Sequence, residues 1–263
     1  MTDRPTTCGS ACTCAPTSNV DPIDEGRRGF LGSLGAASAM TVLAPGVTLL
    51  AFGGEATAAP GASAAKRWGL LIDVSKCTEG CSDCVSACSS EHGWKTTGHP
   101  ATDPQWIRKV KLRDPKSGAT RSAPVMCQHC AEPPCADVCP TGASFKRADG
   151  IVLVDRHRCI GCRYCMMACP YKARSFVHEA LEDQKPHAPR GMGTVEGCTL
   201  CVHRVDKGEV PACVQACAQT GGAILFGDIA DPNSEISKVI ATYATIQIRG
   251  DLGVDPGVRY RNL

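Results

Sequence analysis

The chain has 263 residues, enough for one or two domains, but only 5% are aromatic while glycine and proline number 27 and 18. That balance excludes a large conventional hydrophobic core. A formal net charge of +2, with no lysine–arginine run and no basic–aromatic stripe, gives nucleic acid no footprint to bind.

The N-terminal region carries Gly26-Arg27-Arg28-Gly29-Phe30-Leu31-Gly32, a weakly apolar Gly/Ala-rich stretch to about Gly54, and small-residue sites such as Ala56-Thr57-Ala58. Residues 1–58 therefore read as a leader with a twin-arginine signal, although Gly26 stands where Ser or Thr is usual. Such a signal sends a folded, cofactor-loaded chain to the periplasm and keeps its thiols out of an oxidising space until they are occupied. An N-terminal membrane anchor over Met40 to Phe52 is the alternative. Cys8, Cys12 and Cys14 fall in this leader, and three ligands do not complete a tetrahedral site. Residues 59–66 read as a linker.

The body spans 67–228. Trp68 to Asp73 is a short apolar strand that feeds the first cysteine group, Cys77/Cys81/Cys84/Cys88. A short helix after Cys84 ends near Ser90-Glu-His-Gly93. Residues 93–124 read as a polar connection with one strand at Trp106 to Leu112. The second group, Cys127/Cys130/Cys135/Cys139, carries Pro133-Pro134. Ser144 to Lys146 and Ile151 to Val154 flank Ala148-Asp149-Gly150, a hairpin signal. The third group is Cys159/Cys162/Cys165/Cys169, and the fourth is Cys198/Cys201/Cys213/Cys217 with eleven residues between Cys201 and Cys213. Arg174 to Val177 and Ile224 to Phe226 read as return strands. Residues 229–263 form a C-terminal helix and tail, in which Ser234 caps an amphipathic helix over 234–246 that serves as a cover.

Sixteen of the nineteen cysteines thus fall into four groups of four, each ending in C-x₃-C. The third is C-x₂-C-x₂-C-x₃-C-P, the bacterial ferredoxin run in which three thiolates hold one cubane and the fourth reaches its neighbour. Structural zinc is the bland alternative, but zinc sites bring two short pairs across a spacer and have no use for a third close cysteine. The first group departs from the run by opening with C-x₃-C. Lys146, Arg158, Arg163, Lys172 and Arg204 lie near cysteines in sequence, where solvated charge is the plainer reading and tuning of clusters the sharper one. His129 and His203 are read as hydrogen-bond donors or surface residues rather than ligands. No G-x-S-x-G, Walker loop or HExxH accompanies the cysteines, so the chain is expected to be a carrier rather than an enzyme.

With Cys127-Gln-His-Cys130-Ala-Glu-Pro-Pro-Cys135, the ferredoxin run followed by Tyr171, and Cys198-Thr-Leu-Cys201 through Pro211-Ala-Cys213-Val-Gln-Ala-Cys217, the stretch Trp68 to Asp228 resembles a known family. It is similar to the four-cluster electron-transfer subunits of the dimethyl-sulfoxide-reductase and polysulfide-reductase type. The leader, Trp106-Ile-Arg-Lys109, Phe226-Gly-Asp-Ile-Ala-Asp231 with Ser234-Glu-Ile-Ser237, and Tyr260-Arg-Asn-Leu263 resemble most the exported iron–sulfur subunits of the sulfite reductase-linked DsrMKJOP membrane complex, the DsrO type.

The resemblance implies an α+β fold of two pseudo-symmetric ferredoxin-like modules, an inner one over about 125–180 and an outer one over about 67–92 plus 195–228. It implies four [4Fe-4S] clusters. Their ligand sets would be Cys77/Cys81/Cys84/Cys217, Cys198/Cys201/Cys213/Cys88, Cys127/Cys130/Cys135/Cys169 and Cys159/Cys162/Cys165/Cys139. It further implies a periplasmic relay attached to the membrane through its partners, an integral quinone-interacting subunit of the NrfD/DsrP type and a c-type cytochrome. The alternatives are the beta subunit of an exported molybdopterin oxidoreductase of the tetrathionate or polysulfide type, and a zinc-stabilised interaction module.

Overall fold

The computed structural model describes residues 62–182 and 184–263, together with two short leader strands, Val42–Ala44 and Val47–Thr48, which pair antiparallel. The arginine pair, Cys8, Cys12 and Cys14, and the expected cleavage sites lie outside the described residues. The chain divides into two units, Met1–Ala58 and Ala59–Leu263. Among the described residues no helix is long and apolar enough to cross a membrane.

In the second unit a mixed three-stranded sheet is built around β1 (Trp68–Asp73), which is buried over its four central residues. Strands occupy both of its edges. The strand Ile224–Asp228 runs antiparallel along one edge, pairing Ile224 with Ile72 and Asp228 with Trp68. The strand Val258–Arg261 runs parallel along the other, pairing Val258 with Leu70 and Tyr260 with Ile72. Gly69 permits this approach: a Cβ there would meet the Gly257 carbonyl oxygen at 2.5 Å.

The expectation that 229–263 is a tail after the domain is thereby corrected. Val258 and Tyr260 alternate inward with Arg259 and Arg261 outward, and Tyr260 lies in the main core with Leu70, Ile72 and Trp106. Helix Glu235–Thr242 is capped by Ser234 Oγ, which accepts from Ser237 N at 3.2 Å, and its buried Ile236 covers the sheet. It stops at Thr242 rather than 246.

Three hairpins complete the strands, and in chain order these are β2 (Ile107–Arg113) with β3 (Thr120–Met126), β4 (Ser144–Lys146) with β5 (Val152–Val154), and β6 (Arg174–Phe176) with β7 (Val195–Gly197). The strand Ile224–Asp228 is β8 and Val258–Arg261 is β9. The connection 93–124 is a hairpin rather than a loop with one strand. Its return strand β3 reads Thr-Arg-Ser-Ala-Pro-Val-Met, which carries little β signal; it pairs because Ala123 and Met126 enter the core and the Pro124 carbonyl accepts from Tyr260 OH at 3.1 Å.

The helices are short. They are α1 (Asp83–His92), closed by Gly93 at φ 69, α2 (Pro134–Asp137), α3 (Tyr164–Ala168), α4 (Val202–Val205), α5 (Ala212–Thr220) and α6 (Glu235–Thr242). Helix α1 packs on α5, and α2 packs on α3. These contacts draw distant cysteines together. Cys84, Cys88 and Cys213 lie in the main core, while Cys130 and Cys169, and Cys135 and Cys165, anchor two smaller clusters.

Candidate functional site

Cysteines of different sequence groups come together, and two cavities are each lined by three thiols of one group and one of another. Cys77, Cys81, Cys84 and Cys217 line one cavity with Lys109 and Ala223. Cys159, Cys162, Cys165 and Cys139 line a second. Burial first, and then charge on Cys135 and Cys169, raises the thiols of both Cys127 and Cys130, which places these four near one another. Cys88 and Cys213 act likewise on Cys198, and Cys201 and Cys88 on Cys213.

The sets form a row. Cys84 acts on Cys213, Cys127 on Cys198, and Cys135 on Cys165, so neighbouring sets feel each other's charge. Its two ends reach the surface differently from its middle. Cys162 is exposed and Cys77 and Cys81 are half-buried, whereas Cys88, Cys201, Cys213, Cys130, Cys135 and Cys169 are buried.

Local backbone conformation aims the loops inward. His129, Arg163, Leu200 and Cys201 all have positive φ, which ordinary side chains seldom adopt without compensation from their surroundings. Main-chain amides point at the sulfurs: Ala223 N donates to Cys217 Sγ at 3.2 Å, Ser144 N to Cys139 Sγ at 3.3 Å, and Leu200 N to Cys198 Sγ at 3.4 Å.

Four sulfurs bound tetrahedrally at about 2.3 Å to one zinc ion sit about 3.8 Å apart. Among the described residues, no three cysteine sulfurs lie within 4.8 Å of one another. As they stand, the thiols are not gathered around one zinc-sized point. Burial pushes the Cys84 and Cys201 thiols up to about 11, and those of Cys88, Cys127 and Cys130 up to about 12. Thiolates there are costly until metal neutralises them, and each expels a proton on binding. Cys139 departs from this, since hydrogen bonds from Ser144 and Thr141 outweigh its burial and lower its thiol.

Three basic side chains touch the sulfurs. Lys109 Nζ donates to Cys77 Sγ at 3.0 Å, His92 Nε2 lies 3.3 Å from Cys201 Sγ, and Arg174 Nη2 donates to Cys135 Sγ at 3.1 Å and to Ser144 Oγ at 2.8 Å. Arg174 is the most consequential. Desolvation alone would weaken its charge, but Cys135, Cys127 and Cys165 outweigh that and keep it firmly protonated between two sets.

The basic residues singled out by sequence proximity do otherwise. Arg158 binds the Thr141 carbonyl at 2.8 Å, Arg163 stacks on Phe176 at 3.8 Å, Lys172 reaches the Met167 carbonyl at 3.4 Å, Lys146 the Ala131 carbonyl, and Arg204 pairs with Glu91 at 3.1 Å. His129 accepts from Val152 N through Nδ1 at 3.0 Å, and burial depresses it to about 4, so it stays neutral. His203 faces Glu91 at 2.7 Å. Of the three residues that do touch sulfur, His92 carried a signal, because it stands one helical repeat after Cys88 on the same face of α1. Lys109 and Arg174 lie on hairpin strands remote in sequence from Cys77 and Cys135, and no local pattern marks them.

Thiol sets lined by cationic and amide donors, with no catalytic constellation beside them among the described residues, fit an iron–sulfur electron-transfer protein. A family model described as a 4Fe-4S dicluster domain matches residues 119–229. The chain is 43% identical to the Hdr-like menaquinol oxidoreductase iron-sulfur subunit 1 of Archaeoglobus fulgidus, over 90% of this chain and 98% of that protein. It is 36% identical to a subunit of the tetrathionate reductase of Salmonella typhimurium, over 92% of this chain and 90% of that one. It is also 36% identical to Protein NrfC of Escherichia coli over 72% of this chain and 78% of the other. The chain belongs to this family of [4Fe-4S] electron-transfer subunits of oxidoreductase complexes, and it is not itself a catalytic subunit.

Proposed function

We propose that this chain is an exported relay that holds four [4Fe-4S] clusters and links a quinone-interacting membrane subunit to the other redox subunits of a sulfur-metabolism complex. The observation that carries the reading is the pair of cavities near the surface, each lined by three thiols of one sequence group and one of another. In this reading the ligands are Cys77/Cys81/Cys84/Cys217, Cys88/Cys198/Cys201/Cys213, Cys127/Cys130/Cys135/Cys169 and Cys139/Cys159/Cys162/Cys165. When bound, such clusters exchange single electrons with little atomic movement, at potentials set by hydrogen bonds, charge and exposure. The packing of α1 on α5 and of α2 on α3 supports two ferredoxin-like modules. Lys109, His92 and Arg174 hold positive or donor groups against the sulfurs and so favour the reduced state.

The Archaeoglobus relative is named for a menaquinol oxidoreductase and is matched over nearly its whole length, which supports a quinone-reacting membrane partner of the NrfD/DsrP type. The DsrO-type role, a neighbouring c-type cytochrome, twin-arginine export and a periplasmic site complete the proposal. A second reading, the beta subunit of an exported molybdopterin enzyme, is favoured by the equally broad match to the tetrathionate reductase relative.

Purification of the native protein from membranes under anaerobic conditions tests both. About sixteen iron and sixteen sulfide per chain are expected for four cubanes, together with a haem-bearing chain and a quinone-reacting membrane subunit. Co-purification with a molybdopterin chain replaces the first reading with the second. Zinc in place of iron overturns both.

A further inference from the structure

Outside the cysteine row, three segments converge on one carboxylate. Glu91 lies in the last turn of α1, His203 in α4, and His187 in the connection between β6 and β7. His203 Nε2 lies 2.7 Å and His187 Nε2 3.7 Å from Glu91 Oε1, His187 Nε2 also lies 2.8 Å from the Glu91 main-chain carbonyl oxygen, and the three ligand atoms all fall within 4.8 Å of one another. The two imidazoles lie with centroids 4.4 Å apart and planes tilted by 35°. Arg204 Nη1 occupies the other oxygen, Glu91 Oε2, at 3.1 Å and turns Oε1 toward the histidines.

We propose that Glu91, His187 and His203 form a binding site for a divalent ion of the zinc class, distinct from the thiol sets. Two imidazoles and one carboxylate are the donor set zinc accepts when a water completes four-coordination. With bonds of about 2.0–2.2 Å, tetrahedral geometry sets ligand atoms about 3.3 Å apart, and the two nitrogen–oxygen separations of 2.7 and 3.7 Å bracket that value. Shifts of about half an ångström, with His187 Nε2 released from the Glu91 carbonyl and its proton moved to Nδ1, convert the cluster into a coordination sphere. His187 is exposed enough to admit an ion from solvent.

The site ties the 178–194 connection to the two helices beside Cys88 and Cys201. An ion there staples that connection and adds positive charge one side chain away from the Cys201 sulfur, because His203 stands edge-on to His92, which touches that sulfur. The inference does not depend on which complex the chain serves.

The test uses tag-free, full-length protein carrying its full iron content, stripped of loose metal by a chelating resin and then titrated with zinc chloride. Zinc and iron are counted in the same sample, and thermal unfolding is followed with and without zinc. The wild type should take up one zinc more per chain than His187→Ala at equal iron, and zinc should raise its melting temperature but not that of the variant. Losing this ligand should weaken binding by at least the ten- to hundredfold, roughly, that outer-shell partners of a metal are worth. His187→Asp, which supplies a carboxylate in place of the imidazole, should recover uptake. Equal uptake by wild type and His187→Ala, including none by either, overturns the proposal. So does a zinc-dependent melting shift that survives in His187→Ala.

Discussion

Arg174 offers the sharpest quantitative test of how the protein tunes its clusters. Its guanidinium is buried between the Cys127/Cys130/Cys135/Cys169 and Cys139/Cys159/Cys162/Cys165 sets, 3.1 Å from Cys135 Sγ. Reduction adds one negative charge to a cluster, and a fixed positive charge nearby stabilises that state. At a separation of roughly 5 Å and an effective dielectric constant of about 20, one unit charge contributes about 3 kcal/mol. With about 59 mV and 1.4 kcal/mol for each tenfold change in a one-electron couple, that is on the order of 100 mV. Arg174→Leu is therefore expected to lower the midpoint of the Cys135-linked cluster by about that amount, with a smaller fall at the Cys165-linked one. Arg174→Lys, which keeps the charge but cannot reach both Cys135 and Ser144, should fall between. Potentiometric titration followed by electron paramagnetic resonance reads both couples. A midpoint shifted by less than about 30 mV in Arg174→Leu protein of unchanged iron content would refute the electrostatic role, since water or another group would then be carrying the compensation.

Tyr260 is fully buried and its hydroxyl donates to the Pro124 carbonyl; Tyr260→Ala is expected to cost about 3–5 kcal/mol and Tyr260→Phe about 1 kcal/mol, measured by denaturant unfolding of the iron-loaded protein. Truncation after Asp228 should accordingly lose iron rather than only membrane attachment, because it removes β9 and Ile236 from the fold that surrounds Cys84, Cys88 and Cys213. Cys169→Ser should damage the cluster associated with Cys127, Cys130 and Cys135, and a resonance spectrum in which only the Cys159/Cys162/Cys165 cluster is lost would contradict the proposed sets. Replacing Arg27 and Arg28 by lysine should leave iron-loaded protein in the cytoplasm; normal export, read by fractionation, would count against a twin-arginine signal.

The chemistry of the chain was legible in its spacing. In the first three groups the leading thiols share one short loop and the helix turn after it, so C-x₂-C and its variants specify them without reference to the rest of the molecule, whereas eleven residues carry the chain from Cys201 to Cys213 in α5. The hairpin around Asp149, the strand Trp68–Asp73 and the Ser234 cap were equally local, because each depends on neighbours within a few residues. The fourth thiol of each proposed set was another matter: Cys88 and Cys217 sit within α1 and α5 while Cys139 and Cys169 lie just beyond α2 and α3, and spacing alone left its identity to a family resemblance.

Tertiary structure decided what acts at a distance. Lys109 meets Cys77 and Arg174 meets Cys135 only because hairpins fold over the cysteine loops, and an isolated basic residue on a strand looks like any solvated charge. The C-terminal strand was the clearest loss. Val-Arg-Tyr-Arg alternates correctly but is four residues long, and nothing within it says that it will lie parallel to β1 nearly two hundred residues earlier. That pairing rests on Gly69 yielding space to the Gly257 carbonyl and on Tyr260 filling the core between β1 and β3, contacts that exist only once the chain has closed on itself.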